Sequence, residues 1–293
     1  MGKASRRKRQ AEGAKNDPAS RKAPFVARPF AGLANEGDWV AMREIVPSAT
    51  APITVKLPEQ GEVQVTLVTV LPGAMPGLHR EDGEMLVALQ SRTSSGDASR
   101  DIAAAIIAVA GAEPGTPVTS VPAATEATPR LQDLLVKGSD LEPTVHEDFA
   151  FWVGDAEATP EVASALEATN DAAAPTVKID SVESAYWTKM GERTYIRWIL
   201  SDNEDLATKA LARLQAAGEH TLGGDSVLLG AFRAAGLLAP VLEVPADTEA
   251  AEHGEALAAL AKRYEKALTV DTALTPDERR AREGLVSRQV TLR

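Results

Sequence analysis

The chain has 293 residues, 44% hydrophobic and 25% charged, with aromatics at 4% and a formal net charge of -11. This is ordinary globular composition and enough length for two domains with aliphatic cores. With no cysteine present, disulfides, thiolate metal sites and a cysteine nucleophile are excluded, and a reducing, cytoplasmic setting is expected.

In chain order, residues 1–22 carry eight Lys or Arg, among them Lys3, Arg6, Arg7, Lys8 and Arg9, against Glu12 and Asp17. No apolar stretch follows, as a secretory signal requires, so residues 1–24 are expected as a disordered basic tail. A first α+β unit is expected over 25–111. "EGDWVAMREIV" puts Trp39, Met42, Ile45 and Val46 at helical spacing before Pro47. "PITVKL" and "EVQVTLVTVL" form a hairpin through "PEQG", and "MLVALQSR" is a further strand. The helix "ASRDIAAAIIAVAG" then closes at Gly111; its apolar run, Ile102–Ala112, is far below the ~20 residues of a membrane span.

Residues 112–130 are proline-rich and are expected to be a linker, followed by a second α+β unit over 131–246. There "DFAFWVG" is expected as a strand and "TPEVASALEAT" as a helix with Pro160 at its first position. "ESAYWTKMGERTYIRWILS" gives two strands around Met190 and Gly191, then the helix "NEDLATKALARLQAAG" with Ser201 and Glu204 at capping-box spacing. Asp225 or Ser226 is expected to cap a helix bearing Val227, Leu228, Ala231 and Phe232, ended by Gly236. C-terminal helices over 247–293 begin with the amphipathic "EALAALAKRYEKAL" and continue in "TPDERRAREGL", where Thr275 caps, before an extended "SRQVTLR". The fold class is therefore α+β with mixed or antiparallel sheets. A strand–cap–helix–Gly order recurs in the two halves, which raises the possibility of duplication.

"PFVARPFAGLANEGDWVAMREIVPSATAPI", "SSGDASRD", "LLGAFRAAGLLAPVLEVP" and "SRQVTLR" resemble an actinobacterial family of unknown function, domain of unknown function 5926, over nearly the whole chain. The resemblance implies no activity. Labels of translocase ATPase or type II topoisomerase attach to some members, and the residues support neither. A phosphate-cradling loop ending in Gly-Lys-Ser/Thr is missing, and Tyr186, Tyr195 and Tyr264 sit in strand or helix patterns rather than a basic nucleophile setting.

Candidate chemistry is sparse. "RTSSGD" at 92–97 could hold an anion before a helix, but capping is the better account, since Asp97 repels phosphate. "HED" at 146–148 suits a solvated lead-in better than acid–base work. The aromatics Phe149, Phe151, Trp152, Tyr186, Trp187, Tyr195 and Trp198 could stack bases, yet their acidic surroundings favour a core or protein-binding role. The best small-ligand loop is "HTLGGDS", with His220, Gly223, Gly224 and Asp225, where two glycines permit close backbone approach. The four histidines share no metal-ligand spacing.

Charge is the strongest signal. Residues 23–261 hold 15 bases against 35 acids, and residues 262–293 hold eight against five. The expectation is a cytoplasmic, non-enzymatic binding or adaptor protein without membrane insertion, cofactor or metal. Its partners would be a protein and, through the basic tail, RNA or ribosomes. The alternative is a ligand sensor or enzyme using the Gly223–Gly224 loop near His220.

Overall fold

The structure, a computed structural model, describes residues 17–287 except Thr93. The chain divides into two compact units that interleave in sequence. Unit 1 takes the described residues up to Ala34, then Thr50–Leu141 and Ala150–Leu166; unit 2 takes Asn35–Ala49, Glu142–Phe149 and the residues from Glu167 onward.

In unit 1, β1 (Ala49–Leu57) and β2 (Gly61–Val68) form the expected hairpin, with Thr50 opposite Val68 and Leu57 opposite Gly61. Ala49, Ala51, Ile53, Val55 and Leu57 are buried while Pro52 and Lys56 are exposed, the alternation of a sheet with one covered face. Strand β3 (Gly77–His79) pairs antiparallel with β4 (Met85–Ala88), and β4 runs parallel to β2. Helix α1 (Glu36–Glu44) belongs to unit 2, and α2 (Ala98–Ala110) packs on β3 and β4 through Ile102, Ala103, Ile106 and Val109. Gly77 makes that approach possible, because a Cβ there would lie 2.2 Å from a Val109 methyl.

Three expectations for unit 1 meet a different arrangement. Within 112–130, expected as a linker, β5 (Thr116–Val118) pairs with β3, and Ala124 is buried. Residues 17–24, expected to belong to a disordered tail, lie along this segment. Lys22 bridges Thr125, Ala23 N–H donates to the Ala124 carbonyl at 3.2 Å, and Arg21 pairs with Glu126 at 2.8 Å. Three prolines within 117–129 suppress long elements without preventing a three-residue pairing. A one-turn helix α3 (Leu131–Leu134) follows, and the segment Ala150–Trp152, expected as a strand, is a single 3₁₀ turn. Its Trp152 indole N–H donates to the Val70 carbonyl at 2.9 Å.

In unit 2 the two-residue β6 (Thr144–Val145) precedes α4 (Pro160–Ala172), which begins at Pro160 as expected and spans the boundary between the units. The sheet of unit 2 is antiparallel throughout, in the order β10 (Val227–Ala234), β11 (Leu237–Val244), β9 (Arg193–Trp198), β8 (Ala185–Met190), β7 (Thr176–Lys178). Helices α5 (Glu204–Ala217), α6 (Gly254–Leu268) and α7 (Pro276–Ser287) cover one face around Trp187, Ile196, Trp198, Leu211, Leu228, Leu242, Leu257 and Tyr264. The sheet of unit 1 is mixed and that of unit 2 antiparallel, so the recurring strand–helix order is local rather than a shared topology.

The helix expected over 227–235 is instead the β10–β11 hairpin. Ala235 and Gly236 both have positive φ, 43° and 83°, as a two-residue turn of a right-twisted hairpin requires. A register shift between Leu228 and Gly230 breaks the two-residue alternation, which is why the segment imitated a helical stripe. The cap of α5 also differs: Asn203, not Ser201, accepts from the N–H groups of Asp205 and Leu206. At α7 the expected box holds, with Thr275 and Glu278 each accepting the other's backbone N–H.

Candidate functional site

Unit 2 holds a half-open cavity of about 470 Å³. Its lining comes from the Ser181–Glu183 loop, the chain leaving β9 from Trp198 to Asp202, and one stripe of α6. The helix stripe follows from spacing: Ala258, Ala261, Tyr264, Glu265 and Leu268 recur at three- and four-residue intervals and so share a face. Small alanines at 258 and 261 leave the space that larger residues would fill.

The polar groups of the cavity are fixed by neighbours. Tyr264 donates its hydroxyl to Asp202 Oδ2 at 2.9 Å, and its ring meets Trp198 edge-on with centroids 5.4 Å apart. Burial, together with Asp202, holds the Tyr264 phenol well above its ordinary pKa, so it remains a donor at physiological pH. The Trp198 indole N–H donates to the Glu183 carbonyl at 3.1 Å. Asp202 thus lines the cavity with a carboxylate held by the Tyr264 hydroxyl, with Lys262 and Glu265 exposed along α6. Such a lining binds by apolar contact and a few oriented polar groups. Asp202 and Tyr264 were not singled out from sequence as site residues. The available signal was a tyrosine in an otherwise aliphatic helix stripe, whose hydroxyl needs a partner once buried.

The sequence-derived candidates fall elsewhere. Gly223, Gly224 and Asp225 are exposed in a turn that leads into β10 rather than into a helix, so no helical N–H cluster stands behind it. The turn is tied internally, with Ser226 Oγ accepting from Leu222 N–H at 2.9 Å and donating to the Gly223 carbonyl at 2.7 Å. Arg263 on α6 anchors its base by donating to the Glu219 and Thr221 carbonyls. His220 is half-buried, and desolvation lowers its pKa. None of the four residues lines the cavity. Lys3, Arg6, Arg7, Lys8 and Arg9 lie outside the described residues.

Asp97 caps α2, accepting from Ser99 N–H at 3.1 Å, and its second oxygen faces the Arg100 and Arg130 Nε atoms at 3.3 and 3.2 Å. The place an anion would take before α2 is filled by this buried carboxylate. His146 is half-buried beside exposed Glu147 and Asp148. Among the described residues no cluster of His, Asp and Glu could hold a metal ion. Phe149, Trp152, Tyr186, Trp187, Tyr195 and Trp198 are buried, which removes them as an exposed base-stacking surface. No described helix is long and apolar enough to cross a membrane.

A family model described as a family of unknown function, DUF5926, matches residues 29–293. The chain belongs to this family. The match takes in α1 through the C-terminal helices, and with them both units and the cavity. No curated protein and no solved structure matches the chain.

Proposed function

We propose that this family member is a cytoplasmic, non-enzymatic binding or adaptor protein whose first 22 residues contact RNA or ribosomes. The observation that carries the reading is the charge split: eight bases against two acids in residues 1–22, and 15 against 35 in residues 23–261. An acidic body repels phosphate, so nucleic-acid contact must come from the basic arm. Neutralising about six phosphates gives a log binding constant that falls with log salt at a slope of about -5.

The test is co-sedimentation with ribosomes across a salt series, using the full chain and a version lacking residues 1–22. Salt-sensitive association that disappears with the deletion supports the reading. Absence of association by the full chain at low salt ends it.

A second reading, a small-ligand sensor or enzyme, is favoured by the cavity at Trp198, Asp202 and Tyr264. The loop of His220, Gly223, Gly224 and Asp225 is then an adjunct tied to α6 by Arg263. A ligand-observed NMR screen checks it: hits should be lost when Ala261→Trp fills the cavity, and hits that persist place the ligand elsewhere.

A further inference from the structure

Arg197 occupies the middle of β9, between Tyr186 on β8 and Val241 on β11. Register carries the row on through Tyr186 to Lys178 on β7, so these side chains share one sheet face. It is the face opposite the helix-covered core, because the adjacent Ile196 and Trp198 belong to that core. The site argued here is therefore separate from the cavity and independent of the basic arm.

The neighbours of Arg197 in this row are satisfied and Arg197 is not. Asp38 of α1 accepts from Lys178 Nζ at 2.7 Å and from the Tyr186 hydroxyl at 2.8 Å. Arg197 is 5% exposed, with no hydrogen bond or ion pair among the described residues, and its Nε is enclosed without an acceptor. Two further carboxylates bear on this row: Glu243, opposite Tyr195, lies 3.7 Å from Arg193, and Asp180 acts on Tyr186; neither forms an ion pair with Arg197. Desolvation alone lowers the Arg197 pKa, to about 10, and no acid offsets it. At that value the guanidinium is still charged at neutral pH, so the fold encloses a cation without a counterion.

A buried, uncompensated charge is among the most costly arrangements a protein keeps, and hydrophobic residues of similar volume are commonly more stable in its place. Retention of arginine here calls for a partner that arrives from outside. The planar fork of N–H donors matches a carboxylate or phosphoryl group and suits a spherical halide less well. A second donor stands on the same face two residues back: Tyr195, opposite Glu243, carries a hydroxyl that can donate to a bound oxygen.

We propose that Arg197, with Tyr195 beside it, forms a binding site for an oxyanion group, a carboxylate or a phosphate. Thermal unfolding of the full chain is measured with inorganic phosphate, acetate or chloride at constant ionic strength, for the native chain, Arg197→Met and Arg197→Lys. Phosphate or acetate raises the native unfolding temperature while chloride does not, and the more effective of the two identifies the oxyanion class. Arg197→Met abolishes the shift, yet unfolds without oxyanion at or above the native temperature because an unpaired charge has gone. Arg197→Lys keeps the charge, loses the fork and weakens the apparent affinity about tenfold or more. If Arg197→Met does not fold, the native titration and the lysine variant decide. A native chain indifferent to oxyanions, or a shift that survives either substitution unchanged, overturns the proposal.

Discussion

Tyr186 and Asp38 stand 148 positions apart in the chain and are joined by a 2.8 Å hydrogen bond from phenol to carboxylate, with both residues buried. The bond fixes α1 to the sheet of unit 2 and gives a buried charge one of its two donors, the other being Lys178. Tyr186→Phe removes a hydrogen bond to a charged group and should cost about 1.5–3 kcal/mol. Lys178→Met, which strips Asp38 of its counter-charge, should cost more. Urea unfolding followed by tryptophan fluorescence measures both, and equal costs would argue that Lys178 is merely solvated.

Gly37 and Ser184 form a second fixed contact within unit 2. A Cβ at position 37 would fall 2.5 Å from Ser184 Oγ, and Ser184 itself holds a positive φ of 55°. Gly37→Ala should destabilise by about 1–3 kcal/mol through overpacking. Ser184→Gly opens the space and suits the backbone, so the double variant should recover most of that loss. Strict additivity in a double-mutant cycle would show that the clash is relieved elsewhere.

The Asp97 carboxylate, fully buried between Arg100 and Arg130, is the electrostatic centre of unit 1. Asp97→Ala removes a helix cap and leaves two guanidinium groups facing each other, for an expected cost of about 3–5 kcal/mol. Arg130→Met should cost less, since Arg100 continues to balance the charge. Denaturation midpoints in that order check the assignment.

His253 introduces a pH dependence. Its Nε2 lies 2.8 Å from Thr248 Oγ1, whose single proton is given to the Pro245 carbonyl, so the histidine nitrogen is the donor. Burial lowers its pKa below 6.5, outweighing the opposing influence of Glu252. His220 shifts the same way, by desolvation. Folding therefore disfavours protonation, and the stability present above pH 6.5 is lost as pH falls through the folded pKa. The midpoint should drop on acidification from pH 7, and His253→Gln should flatten part of the slope.

Elements whose local chemistry agrees with the fold were legible from residues alone. The β1–β2 hairpin, α2 closing at Gly111, the β8–β9 turn at Met190 and Gly191, and the capping box of α7 each carry their own signals. Strand β10 was not legible, because a bulge near Gly230 shifts its period and the Ala235–Gly236 turn resembles a helix end. Strands β3 and β5 are three residues long, and pairing rather than pattern makes them. The site residues were hidden for another reason. Asp38 and Tyr186, like Asp202 and Tyr264, meet only in the folded chain, and single-sequence spacing holds no trace of either pair.

The interleaving of the two units bears on the order in which the chain is made. The backbone passes from one unit to the other five times, at Ala34, Ala49, Leu141, Phe149 and Leu166. During synthesis unit 1 is complete once Leu166 has emerged. Helix α1 has been waiting since before unit 1 began its sheet, and its acceptor Asp38 finds Lys178 and Tyr186 only later. A fragment starting at Glu167 would carry the whole antiparallel sheet yet leave Lys178 and Tyr186 without their acceptor. Among the described residues, the earliest-made α-helix is thus a component of the last-finished half.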